Sequence, residues 1–260
     1  MAEGEDGRYE IASVISRAFD TITSNVPLFV GLALILAGIP AAAANWWQLS
    51  QTISYTTAPG QFISSTVFTS GYFGPILIAG LVSMVSGVVL QAALTRATVT
   101  HLSGEKPNFG QCLMVGLTMI LPMIGIAILL SLGVGLASLL LIVPGIILWL
   151  CWSVVVPVYV QEKVGVFEAF GRSMALTSGS RWRIFLTMLV VVIGLWLLSI
   201  PAGMLTLAAA SAGTVASAIV AGAISALGSM AMVTVQACIY VELRDVKEGV
   251  APADLEAIFA

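Results

Sequence analysis

The sequence predicts an all-α integral membrane protein. Six transmembrane helices form three hairpins, each preceded by an interfacial amphipathic helix, in a single membrane domain. Three observations carry this. First, 59% of the 260 residues are hydrophobic and 9% are charged, with a mean hydropathy of +1.05. A soluble domain is about 25% charged, so this chain could not clothe a globule of its size in polar surface. Second, the 10 basic and 13 acidic residues fall in four short clusters. Third, the charge-free windows between them are residues 21–95, 107–161 and 184–241, of 75, 55 and 58 residues. A helix needs about 20 apolar residues to cross a bilayer, so each window holds two spans and a turn. Two spans return the chain to the side it left, which puts every charge, and the sole histidine His101, on one face.

Residues 9–25 place Ile11, Val14, Ile15, Ala18, Phe19 and Ile22 at helical spacing, with Ser13, Ser16, Arg17 and Asp20 opposite. This is an amphipathic helix lying in the interface; with the acidic tail before it, it makes up residues 1–26. Span one follows over about 27–47 and ends at Trp46 and Trp47, an aromatic pair suited to headgroup depth. Residues 48–72, rich in Ser, Thr, Gln and Gly, are expected to form a far-side loop. Span two covers about 74–99 and completes hairpin 27–99.

A short amphipathic turn at 109–114 leads into span three, about 117–140. Pro144-Gly145 is expected to make a tight hairpin before span four, about 146–160, which closes hairpin 107–160. In the polar stretch 161–183, Val166, Phe167, Phe170 and Met174 share one apolar face, and Thr177-Ser178-Gly179-Ser180 ends that helix. Spans five and six, about 184–207 and 214–241, form the last hairpin, and 242–260 is a second charged tail. All ten Lys and Arg lie on the side holding both termini, so by the positive-inside rule that side is the cytoplasm. The acidic start is unlike a secretory signal.

The windows read as copies of one unit. Leu90-Gln91-Ala92-Ala93-Leu94 echoes Val235-Gln236-Ala237-Cys238-Ile239, and Val158-Tyr159-Val160-Gln161-Glu162 echoes Ile239-Tyr240-Val241-Glu242-Leu243. Residues 17–29 likewise echo 172–185. Such triplication predicts a pseudo-three-fold bundle. Small residues recur every fourth position in span two (Ala79, Ser83, Gly87) and in two columns of span six. Such faces let helices approach closely, either within one chain or at a homo-oligomer seam.

The spans hold no ionisable residue apart from cysteines, which argues against an ion-coupled carrier, a pump or a voltage sensor. Gln91 and Gln236, the most polar side chains near the inner leaflet, are expected to bond helix to helix. Cys112, Cys151 and Cys238 are scattered and read as small buried hydrophobes. There is no nucleophile–base pair, metal-ligand spacing or phosphate loop. The sequence therefore predicts no enzyme, no metal and no cofactor, and a net charge of −3 gives no reason to expect a nucleic-acid partner.

One constellation has a physical rationale. Arg172, Arg181 and Arg183 would place three guanidinium groups at headgroup level, with the Trp182 indole anchoring the depth. Together they suit lipid phosphates, although ordinary positive-inside anchoring would place basic residues there too.

The stretch Glu162-Lys163-Val164-Gly165-Val166-Phe167-Glu168-Ala169-Phe170-Gly171-Arg172-Ser173 is followed by Leu176-Thr177-Ser178-Gly179 and Arg181-Trp182-Arg183. The chain then closes on Ile239-Tyr240-Val241-Glu242-Leu243-Arg244. In these motifs it resembles the bacterial six-span inner-membrane family of YciC-like proteins, and the membrane domain attached to some glycerophosphodiester phosphodiesterases. The resemblance implies six spans in a bacterial inner membrane and little about activity. The phosphodiesterase itself would be a separate soluble barrel, for which this chain has no room. The expected role is non-catalytic: organising membrane lipids, anionic ones among them, or a membrane-protein partner at the cytoplasmic leaflet. The alternative is uncoupled transport or export of a lipid-like or small amphiphilic molecule.

Overall fold

The computed structural model describes residues 9–56 and 70–249, and its regular elements are all helical. In chain order they are α1 (Ile11–Ser24), α2 (Val26–Ala33), a π-helical turn (Leu34–Gly38), α3 (Ile39–Thr56), α4 (Ser70–Leu102), α5 (Phe109–Thr118), α6 (Ile120–Leu140), α7 (Ile142–Cys151), α8 (Val155–Glu162), α9 (Val166–Thr177), α10 (Arg181–Ala210) and α11 (Thr214–Glu248). Six of the described segments are long and apolar enough to cross a membrane: Val26–Leu49, Leu77–Leu102, Ile120–Leu140, Ile142–Glu162, Arg181–Ala210 and Thr214–Glu248.

Proline explains where these segments break. It has no N–H, and its ring crowds the carbonyl four residues earlier. Four residues before Pro27 is Thr23, where α1 is ending; before Pro40 is Leu36, inside the π-helical turn. Pro122 points back to Thr118, the last residue of α5, and Pro157 to Ser153, in the gap between α7 and α8. Pro144 points back to Leu140, where α6 ends. The expected hairpin at Pro144-Gly145 is thus displaced. The chain reverses at Leu141, which is extended (φ −159°, ψ 142°), and the Pro-Gly pair sits in the first turn of α7. There the missing N–H costs nothing. Gly145 packs so closely on Ser138 that any side chain would collide with it.

The far-side loop also needs correction. Helix α3 continues through Thr56, because no Pro or Gly interrupts residues 41–58, and α4 already begins at Ser70. Residues 57–69 of the expected loop lie outside the described residues.

Helix α11 is the axis of the bundle. It packs along α3, the π-helical turn, α4 and α10, and touches α1, α2, α8 and α9. The α6–α7 hairpin leans instead on α4, α8, α9 and the start of α10. The small-residue columns of span six separate in role. Ala218, Gly222 and Ala226 are buried, and a Cβ on Gly222 would lie 2.5 Å from the Gly38 carbonyl oxygen and 2.9 Å from the Ala42 nitrogen. Helix backbones touch there, so this column works within the chain. Ser225, Gly228 and Ser229 face a cavity.

Residues 11–24 and 166–177 are helical, as α1 and α9, and each buries a face that includes small and hydroxyl-bearing residues. In α1 the buried stripe is Val14, Ala18 and Thr21, while Phe19 is 67% exposed. In α9 it is Ala169, Phe170, Ser173, Leu176 and Thr177, while Phe167 is 79% exposed. Large apolar side chains at this depth can face lipid as readily as protein. The small and hydroxyl-bearing residues are the ones that permit close helix contact: Ser173 donates to the Cys151 carbonyl at the α7 terminus (2.8 Å), and Thr177 donates to the Ser173 carbonyl (3.0 Å).

Gly222→Leu should therefore lower the unfolding temperature in detergent, an overpacking cost of about 1–3 kcal/mol. Gly228→Ala should cost nothing: a Cβ there meets nothing within 4 Å, and alanine is the better helix former by about 1 kcal/mol.

Candidate functional site

The four charge clusters meet at one end of the bundle and largely neutralise one another. Arg17 on α1 reaches α11, its Nη1 lying 3.1 Å from Glu242 Oε2 and 3.3 Å from Asp245 Oδ2. Glu242 is almost fully buried, so this guanidinium answers a carboxylate that would otherwise be stranded. Arg172 on α9 donates through Nε to Glu162 Oε2 (3.0 Å) and through Nη2 to Glu248 Oε1. Both carboxylates raise its pKa, that of Glu248 more strongly. Tyr240 donates to the other oxygen of Glu162 (3.1 Å), and Lys247 ties α11 to α9 at the Ala175 carbonyl and Ser178 Oγ, both 2.7 Å. From the second cluster, Arg96 reaches Gln161 (3.2 Å), and His101 Nδ1 lies 3.0 Å from Asn25 Nδ2.

Arg183 is tied by a different route. It donates to the Tyr9 carbonyl (3.3 Å). Thr187 donates to the Arg183 carbonyl (2.9 Å), so the 2.9 Å bond between Tyr9 and Thr187 has the phenol as donor. Burial above all, and the charge of Glu242, push the Tyr9 pKa up to about 12, against a smaller opposing effect of the Thr187 bond. Arg172 and Arg183 thus both have partners within the protein, Arg172 two carboxylates and Arg183 a backbone carbonyl. Sequence showed the charges, but which group each would meet is a tertiary fact.

Arg181 and Trp182 stand apart. Arg181 is exposed and has no partner among the described residues; Trp182 is 78% exposed, its ring edge-on to Phe185 at 5.9 Å. Both line a groove of about 650 Å³ whose walls are apolar: Val143, Ile146, Ile147 and Leu150 of α7, and Phe185 of α10. Ser178 and Gly179, from the turn before α10, complete it. Gly179 has φ +82°, a conformation glycine adopts without strain, and this lets the chain turn directly from α9 into α10.

The other two predicted residues meet as expected. Gln91 Nε2 donates to Gln236 Oε1 at 3.4 Å, bonding α4 to α11. The pair also forms part of the lining of an open cavity of about 820 Å³ between the first span, α4 and α11, with Ala127 of α6 and Leu195 of α10 on its remaining side and Ser83, Gly87 and Ser225 exposed along it. Its other polar groups are Ser83, Ser225 and Ser229. The cavity was not legible as such. Its trace was the small-residue columns, which read equally well as packing surfaces.

The three cysteines are unpaired and buried. Among the described residues no group of three or more His, Cys, Asp or Glu side chains could hold a metal. No family model, curated protein or solved structure matches this chain.

Two measurements check the electrostatics. Arg172→Gln should destabilise the protein by about 1 kcal/mol, since its ion pairs are partly exposed (36%) and screened, whereas Arg181→Gln should leave unfolding unchanged. Tyr9→Phe removes the bond to Thr187 and should cost about 1 kcal/mol near neutral pH. Because the folded state favours the neutral phenol, its contribution is whole below pH 10 and is lost as the pH rises through about 12. The gap between parent and Tyr9→Phe unfolding temperatures should close across that interval.

Proposed function

We propose that this chain is a non-catalytic, multi-pass protein of a bacterial inner membrane, both termini cytoplasmic, that organises lipids at the cytoplasmic leaflet. The positive-inside bias and the resemblance to the YciC-like family support this placement, in which α1 and α9 lie at the interface and three related hairpins make up the bundle. The observation that carries the function is the groove under Arg181. A guanidinium with no carboxylate partner among the described residues lines an apolar groove, beside an exposed indole. That arrangement fits an anionic lipid, with phosphate at Arg181 and an acyl chain against α7. A membrane-protein partner or a second copy of the chain would meet the same lipid-coated surface.

The test is purification in native lipid particles followed by mass spectrometry of the retained lipids. Enrichment of anionic over zwitterionic lipid is expected, and Arg181→Gln should reduce it about fivefold, the effect of about 1 kcal/mol per basic residue at the headgroup level. Lys163→Gln, at the turn before α9, serves as the control and should leave enrichment in place. Bulk lipid composition in the parent, or enrichment unmoved by Arg181→Gln, would overturn this role for the groove.

The second reading, uncoupled movement of a small amphiphile, is favoured by the central cavity. A bundle packed solid would have spoken against it, and roughly 820 Å³ at membrane depth is room for an acyl chain.

A further inference from the structure

We propose that the central cavity is a binding site for an uncharged, single-chain amphiphile whose head carries hydroxyl or amide groups, of the monoacylglycerol class, and that it loads sideways from the bilayer between α6 and α10. The inference rests on the second reading above for its role in transport, but binding stands or falls by itself.

Four observations converge. None of the residues lining the cavity is ionisable. A charged head would sit there without a counter-ion, which the low-dielectric interior penalises heavily. A neutral hydrogen-bonding head suffers no such penalty. The Gln91–Gln236 bond leaves Gln91 Oε1 as a free acceptor and Gln236 Nε2 as a free donor, and no other side chain among the described residues takes them up. A glycerol-like head, with donors and acceptors on neighbouring carbons, matches both.

The walls, third, are shaped for a chain. A Cβ added at Gly87 on α4 or Gly228 on α11 would meet nothing within 4 Å, so each glycine borders open space where any other residue would narrow it. The opposite wall includes the π-helical turn, through Leu36 and Ala37, and Pro40. Such a bulge re-aims a helix at functional sites, and here Pro40 requires it.

Finally, α6 and α10 both contribute to the lining, through Ala127 and Leu195, yet make next to no contact with each other. A seam between two lipid-facing helices admits molecules already dissolved in the membrane. It selects an amphiphile over a water-soluble solute before any contact is made.

The experiment uses the full chain in lipid nanodiscs and two probes with the same diazirine-bearing acyl chain, one a monoacylglycerol and one a lysophosphatidate. Crosslinked peptides are identified by mass spectrometry. The monoacylglycerol is expected to label α4 around Gln91 and α11 around Ser229 about tenfold more than the lysophosphatidate, the discrimination a buried unpaired charge imposes. Gly228→Trp should fill the cavity and abolish that labelling, and Gln91→Leu with Gln236→Leu should reduce it about tenfold. Gly228→Ala, which keeps most of the space, guards against a variant that fails to fold. Arg181→Gln should leave cavity labelling unchanged, which separates this site from the rim groove.

Labelling confined to outward-facing residues, or unchanged by Gly228→Trp in a variant with the parent's unfolding temperature, would overturn the site. Equal labelling by the two probes would overturn its selectivity for an uncharged head. Retained labelling without probe movement between vesicle leaflets would leave the binding site standing and refute the transport reading.

Discussion

The low dielectric of the bilayer interior is the constraint on which the rest of this structure depends. An unpaired charge there costs several kcal/mol, so the charges of a six-span chain must collect at the ends of its spans. Here the windows are each two spans long, and the charged residues of the described segments meet at one end of the bundle. Crowded together, the charges pair. Arg17 with Glu242 and Asp245, and Arg172 with Glu162 and Glu248, join α1, α8, α9 and α11. Each pair is weak if exposed, but the network fixes where α1 and α9 sit against α11. Arg181 is conspicuous because it lies outside that network.

Away from the charged end, packing is geometric. Between helices in lipid there is little hydrophobic drive, and contact depends on small residues and satisfied hydrogen bonds. Gly222 against Gly38 and Ala42 brings α11 onto the first span at backbone distance. Pro27, Pro40, Pro122, Pro144 and Pro157 set the interruptions, each four residues downstream of a break or a bulge. Pro201 departs from this, lying within an uninterrupted α10, as does Pro75 within α4. Together these features give a bundle that is tight on one side of α11 and open on the other, where Ser225 and Ser229 line the cavity.

Much of this was readable in advance. The six helices long and apolar enough to span a membrane followed from window length. What failed did so for a common reason: hydropathy does not distinguish protein from lipid. Phe19 and Phe167, on the apolar faces of α1 and α9, are exposed, while Thr21, Ser173 and Thr177 are buried. In a membrane the small polar face is often the inner one. Residues 48–56 looked like loop because they are polar, yet polarity alone does not end a helix without Pro or Gly. The partners of Arg172 and Arg183 could not be read, since Glu248 and Tyr9 are distant in sequence and only folding brings them near.

The most direct test of the central claim is the sidedness of the charge clusters and of the span-connecting turns. The native cysteines are buried, so single exposed cysteines can be read with a membrane-impermeant maleimide in sealed vesicles. Ser103→Cys and Lys163→Cys, in the second and third clusters, should label from one and the same side. Ser211→Cys, at the turn between α10 and α11, should label only from the other. If Ser103→Cys and Lys163→Cys label from opposite sides, or Ser211→Cys shares a side with either, the gathering of all charge at one membrane face is wrong.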